Sequence, residues 1–119
     1  MPDPQAVETY ERSRLHWAET GRPPHSDLLD WYRALIDLRR RTPALRDGNA
    51  ALCDVTCHDE AQWMLVRRRD IAIACNLAPE ARTIVTSGAL TVLLASEPDI
   101  TVADGIGLPP DSVAIVAVG

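Results

Sequence analysis

The spacing of apolar residues changes character part-way along the chain. Between His25 and Arg41, Leu28, Tyr32, Leu35 and Ile36 recur at i, i+4, i+7 and i+8, which is one stripe of an α-helix. Leu29 and Trp31 widen the stripe and Leu38 extends it. Ser26 is a suitable N-cap, with Asp27 and Asp30 near the positive end of the helix dipole and Arg39-Arg40-Arg41 near the negative end. Pro43 disfavours helix at Thr42, and a short turn then runs to a stop at Gly48. The stripe is broad for a single helix beside one small sheet.

After Asn49 the period shortens to that of strands. Ala50–Thr56, Ala61–Arg68, Ile71–Leu77, Arg82–Thr86, Leu90–Leu94 and Ser112–Val118 are expected strands. Arg69-Asp70 is the turn of a hairpin. In Ile71–Leu77 the residues Ile71, Ile73, Cys75 and Leu77 alternate with small or polar ones, as a half-buried strand requires. Ser87-Gly88, Glu97-Pro98 and Gly107-Leu108-Pro109-Pro110 read as separators. Before residue 25, Asp3-Pro4 opens a short helix edged by Val7, Tyr10 and Leu15. An extended arm carrying Trp17 follows, with Gly21 and Pro23-Pro24 as terminators. The expected fold is therefore mainly β with N-terminal helices: an antiparallel β-sandwich of Greek-key type with six or seven strands, preceded by one long amphipathic helix. Its expected divisions are an arm at 1–25, the helix and exit turn at 26–48, and the sandwich at 49–119.

Composition narrows the function classes. Hydrophobic residues make up 46% and charged residues 24%, as in a folded domain. A net charge of −5 disfavours nucleic acid or anionic lipid as the main partner. No apolar run is long enough to span a bilayer and the first residues lack a signal core, so a cytoplasmic location is expected. Cys53, Cys57 and Cys75 are odd in number and unpatterned, which suits a reducing compartment.

The residues that could carry chemistry are scattered. Cys53, Cys57 and His58 have metal-ligand side chains, but they lack tight paired spacing and a natural fourth ligand; Cys75 on an apolar strand reads as a core residue. Asp59-Glu60, Glu97, Asp99 and Asp104 fall in loops. Ser87 lacks the frame of a nucleophile elbow, and His16, His25 and His58 have no partner order. Gly105-Ile106-Gly107 is followed by prolines, not by a phosphate-binding helix. Arg39–Arg41 and Arg67–Arg69 read as solvated surface, and Trp63 reads as a core residue of its strand. No catalytic, cofactor-binding or metal residue is assigned, and no cofactor is called for.

The segment HSDLLDWYRALIDLRRRTPALRDGN resembles the last barrel helix and exit turn of α-amylase-family glycoside hydrolases. Trp31, Leu35, Ile36, Leu38, Arg39, Pro43, Ala44, Leu45 and Gly48 stand at matching places. DPQAVETYERSRLHW, LTVLLASEPDI and LPPDSVAIV are similar to segments of the maltooligosyltrehalose trehalohydrolases within that family. The resemblance implies a non-catalytic C-terminal domain whose partner is a catalytic (β/α)8 barrel and whose role is to support that barrel. The parent reaction it implies is trehalose-releasing hydrolysis of an α-1,4 bond by a retaining mechanism, with two barrel carboxylates about 5 Å apart. None of those carboxylates maps here. Arg68-Arg69-Asp70 echoes the family's Arg-x-Asp nucleophile motif only superficially, because it lies in the hairpin turn. The wide helix stripe is then a surface built for the barrel, and in this chain Leu28, Tyr32, Leu35 and Ile36 are expected to be partly exposed or buried by self-association. The alternatives are a carbohydrate-binding module using Trp63 or Trp17, which calorimetry against maltooligosaccharides tests, and a stand-alone interaction domain.

Overall fold

The amphipathic stripe forms helix α2, His25–Arg41, 17 residues long. It starts one residue before the expected cap. Leu28 N–H donates to the Pro24 carbonyl at 3.1 Å and Ser26 N–H to the Arg22 carbonyl at 2.9 Å, so the helical bonds begin upstream of Ser26. Pro24 suits that boundary because its missing N–H would have had no intrahelical partner. The Ser26 hydroxyl, freed from capping, donates to the Asp27 carboxylate. At the other end the three arginines fill the last turn, Thr42 is extended, and Pro43–Arg46 forms the single turn α3. That turn ends at Asp47, whose backbone is extended, and Gly48 is not left-handed.

The computed structural model describes residues 3–119, which fall into two compact units, one ending at Tyr32 and the other Arg33–Gly119. In the first unit, α1 spans Val7–Ser13 with Ala6 at the cap position. Asp3 does not cap it. Its carboxylate accepts from Gln5 N–H, and its carbonyl accepts from Ala6 N–H and the Thr9 hydroxyl, making a separate turn ahead of the helix. Trp17, expected in an extended arm, instead opens a 3-10 turn, Trp17–Gly21. Val7, Tyr10, Leu15 and Trp17 are all exposed.

The second unit is a two-sheet β-sandwich with the C-terminal part of α2 as a third layer. Eight strands follow α3: β1 Cys53–His58, β2 Trp63–Arg68, β3 Ile71–Asn76, β4 Arg82–Val85, β5 Leu90–Ala95, β6 Thr101–Val102, β7 Gly105–Leu108 and β8 Ser112–Val118. All pairings are antiparallel, in a five-stranded sheet ordered β1-β2-β3-β8-β5 and a three-stranded sheet ordered β4-β7-β6. The chain crosses between sheets repeatedly, and β8 returns to lie between β3 and β5, a Greek-key type of link. β1 begins at Cys53 rather than Ala50 because the Asn49 side chain accepts from Ala51 N–H and winds residues 50–52 into a 3-10 turn.

Further departures from the sequence expectation lie in β3 and in the smaller sheet. β3 has both faces covered. Ala72, Ala74 and Asn76 face the inter-sheet core with Leu65, Ile84, Ile106, Leu108, Ala114 and Val116, whereas Ile71 and Ile73 face the helix layer. The small residues are inside because neighbouring sheets approach closely there, and Leu77, expected to be inward, is 63% exposed. β7 and its short neighbour β6 lie where a loop was expected. Ile106 and Leu108 are buried, while Gly105 and Gly107 allow the flanking strands to close: a Cβ on Gly105 would sit 2.7 Å from the Ile84 carbonyl oxygen, and one on Gly107 would strike the Thr101 hydroxyl. The glycines that looked like strand breakers are what the sheet needs.

Candidate functional site

An apolar cluster and a polar clasp meet at the junction where the helix and its exit turn join the sandwich. Leu38, Ala44, Ile71 and Ile115 form a second buried cluster, joined by Leu35, Leu45, Ile73, Leu93, Leu94 and Ala117. The helix reaches it through Leu35 and Leu38, and α3 through Ala44 and Leu45. Leu35 is half-buried, packed against this cluster with part of its side chain still exposed. Leu28, Tyr32 and Ile36, spaced four apart along α2, are 56%, 58% and 48% exposed. The broad stripe thus divides in two, with one edge serving the sheet and the other left open.

Polar groups fasten the same junction. Asp47, at the end of α3, receives a charged hydrogen bond from Arg69 at 2.7 Å and a backbone bond from Asn49 N–H at 3.0 Å. Arg68 donates to the Asp47 carbonyl oxygen, and Arg67 donates to the Thr86 hydroxyl. The Arg69 guanidinium, then the Asn49 N–H, hold the Asp47 carboxyl below its ordinary value. The Arg68 and Arg69 bonds tie the exit turn to the β2–β3 hairpin, and the Arg67 bond ties that hairpin to the end of β4. Arg69 can take this position because it has a left-handed φ of 54° at the first loop residue, the twist that a two-residue hairpin favours. Within the run Arg67–Arg69, expected to be solvated surface, Arg69 is exposed as expected, and Arg68 and Arg69 together clasp Asp47. Sequence spacing carries no sign of it, since Asp47 and Arg69 meet only after the sheet has formed.

The remaining candidates stay apart. Cys57 and Cys75 flank Met64 in adjacent strands, and His58 points to the opposite face from Cys57. The His58 Nδ1 accepts from Ala61 N–H at 3.1 Å, and its ring lies 5.7 Å from that of Trp63. Burial pushes the Cys75 thiol up. Trp63 is half-buried and packs against the inter-sheet core. Asp59, Glu60, Glu97, Asp99 and Asp104 are exposed, and Arg68-Arg69-Asp70 forms the β2–β3 turn. Among the described residues no three His, Cys, Asp or Glu side chains group as metal ligands, and no helix is long and apolar enough to cross a membrane.

The family model described as a domain of unknown function, DUF3459, matches residues 49–115, the sandwich as far as the middle of its last strand. The chain belongs to the DUF3459 family. This DUF3459 domain is 38% identical over 118 residues to a malto-oligosyltrehalose trehalohydrolase of Rhizobium sp. (strain M-11), covering 98% of the chain and 20% of the relative. It is 37% identical over 92 residues to the malto-oligosyltrehalose trehalohydrolase of Mycobacterium tuberculosis, covering 77% of the chain and 16% of the relative. A crystal structure from Salmonella typhimurium, provisionally assigned as an alpha amylase, superposes with a TM-score of 0.72 at 24% identity. That match covers 98% of this chain and 20% of the other, and it shows a shared fold. The DUF3459 chain thus spans about one-fifth of the length of the curated relatives it matches. The resemblance to the C-terminal region of α-amylase-family enzymes stands.

The clasp carries a pH signature. A carboxyl whose native pKa is lowered contributes stability above its unfolded pKa and loses that contribution as pH falls through the native value. Asp47→Asn should therefore lower the melting temperature of the DUF3459 domain at pH 7. The difference from wild type should close as pH falls below about 4. Parallel thermal melts across that range check it; a gap that persisted at low pH would assign the loss to packing instead of the Arg69 bond.

Proposed function

We propose that this chain is the non-catalytic C-terminal domain of a trehalohydrolase-like glycoside hydrolase and that it anchors the last helix of a catalytic barrel. The observation that carries this reading is the divided stripe of α2. Leu38 and its neighbours secure the helix to the sandwich, whereas Leu28, Tyr32 and Ile36 offer an apolar edge with no cover. In functional terms, residues 1–25 are a connecting arm, 26–48 the barrel-type helix and its exit turn, and 49–119 the supporting sandwich. The barrel supplies both carboxylates of the retaining mechanism, and this chain supplies none. The parent acts in the cytoplasm on maltooligosyl trehalose and releases trehalose.

A chimera tests the assignment. The matching fifth of the Rhizobium relative is replaced by this chain, and trehalose release and thermal stability are compared with those of a truncated enzyme lacking that fifth. The expected chimera regains the melting temperature lost on truncation and keeps the parental KM. Tyr32→Glu with Ile36→Glu removes the regained stability without changing substrate choice. A chimera that melts like the truncated enzyme, or one whose substrate selection follows the exchanged segment, overturns the reading. The 119-residue chain alone should release no trehalose from maltooligosyl trehalose.

A further inference from the structure

Strand β1 is an edge of the five-stranded sheet, and all six of its residues are exposed. Edge strands with a free row of N–H and C=O groups are sites of pairing, and folded proteins blunt them with bulges, prolines, charged side chains (lysine above all) or short length. The opposite edge of this sheet is treated in that way: β5 carries a register irregularity between Val92 and Leu94. The outer strands of the smaller sheet are short, with four residues in β4 and two in β6. β1 carries a single charge, Asp54, and no other of these devices. It pairs with β2 in an unbroken six-residue register and contains neither proline nor lysine, and Val55 at its middle is 51% exposed.

The sequence of β1 matches itself when reversed. Cys53-Asp54-Val55-Thr56-Cys57 is close to symmetric about Val55. Two copies pairing antiparallel must be related by a two-fold axis normal to the sheet, and the pleat then requires each residue to face one from the same side. Centring on Asp54 sets two carboxylates opposite each other, which is unfavourable. Centring on Thr56 leaves Cys53 opposite Asp59 of the other copy, in the turn after the strand, and calls on a His58 ring already holding that turn. Centring on Val55 puts Val55 against Val55, Asp54 against a Thr56 hydroxyl, and Cys53 against Cys57. Like charges are kept apart, and the exposed apolar row is continued from one copy to the other.

We propose that β1 is a pairing edge for a second copy of this chain, aligned antiparallel about Val55, so that two five-stranded sheets become one of ten strands. The inference does not depend on the barrel reading, since it concerns a different element from the open edge of α2. A strand pair of this length buries less than the standard protein interface, so the dimer is a weak, reversible one.

Sedimentation velocity on the 119-residue chain tests it. The wild type should shift from monomer to dimer with concentration, Val55→Lys should stay monomeric with an unchanged circular dichroism spectrum and melt, and Ile36→Glu should dimerise as the wild type does. The register is read in a Cys75→Ala background with diamide, a diazene that takes two electrons and two protons from a pair of thiols as they form a disulfide. Cys53→Ser and Cys57→Ser should each give no covalent dimer alone, whereas an equal mixture of the two should, through one Cys57–Cys53 bond. A strictly monomeric wild type, a Val55→Lys chain that still dimerises, or loss of the dimer in Ile36→Glu would each sink the proposal. Covalent dimers in either single variant alone would refute the Val55 register.

Discussion

Asn76→Leu should destabilise this domain by about 3–5 kcal/mol, the largest single effect expected of any polar side chain here. Asn76 has no exposed surface. Its amide nitrogen donates to the Glu80 carbonyl at 2.8 Å and the Pro109 carbonyl at 2.7 Å, with a longer bond to Leu108. Its amide oxygen accepts from Ala78 N–H at 3.0 Å. One side chain therefore holds the loop leaving β3 and the loop entering β8, and so pins the two sheets together at one end. Leucine is near in size but silent in hydrogen bonding. The Pro109 carbonyl would keep its bond from the Ser112 hydroxyl, but the Ala78 N–H and Glu80 carbonyl would lose these partners, at about 1–3 kcal/mol each. Chemical denaturation with a linear extrapolation measures the loss.

Asn76→Asp separates hydrogen bonding from packing at the same position. The introduced carboxylate could still accept from Ala78 N–H but would face three carbonyl oxygens, so its native pKa would be raised. A raised native pKa means that the folded state binds the extra proton, so stability falls as pH rises from about 4 toward the native value. The Asn76→Asp variant should therefore gain stability as pH falls toward about 4, whereas Asp47 costs the wild type stability only below that value. A pH-independent loss in Asn76→Asp would mean that the three facing carbonyl oxygens do not perturb the carboxylate, against the bonding argument.

The same residue marks the limit of what the sequence reveals. Ile71, Ile73 and Cys75 are legible as a buried face because one covered face leaves a period of two. A second covered face built from Ala72, Ala74 and Asn76 leaves no such trace, since small and polar residues are also what an exposed face contains. β7 is hidden for a related reason: Gly105 and Gly107 carry the signature of a turn, and only the closeness of Ile84 and Thr101 explains them. The helix is legible because its signals are local, namely the stripe, the terminal arginines and the proline stop. Its division into a held edge and an open edge is not, because that depends on where the sheet lies. The clasp of Asp47 by Arg69 spans 22 residues and exists only once β2 and β3 have paired.

Leu38→Ala should cost about 2–5 kcal/mol, and Leu38→Asp should release the end of α2 from the sheet altogether. Leu38 is 2% exposed and is the one fully buried residue of α2. Its cluster with Ala44, Ile71 and Ile115 is separate from the inter-sheet core built around Ile84, Ile106 and Leu108. The two cores share β3 and β8, one on each face. Loss of the helix layer should therefore loosen the amides of residues 33–46 fully and those of β3 and β8 in part, while β4 and β7 keep most of their protection. Hydrogen exchange on the aspartate variant reads this pattern directly. The gradient matters for function because Ile36, two residues from Leu38, lies on the edge assigned to the barrel. If the sandwich supports a barrel by holding that helix in place, Leu38→Asp in the chimera should lower its melting temperature as far as truncation does, although the sandwich remains folded. A chimera insensitive to Leu38→Asp would mean that the domain contributes through some other surface, and the helix would lose its role as the anchor.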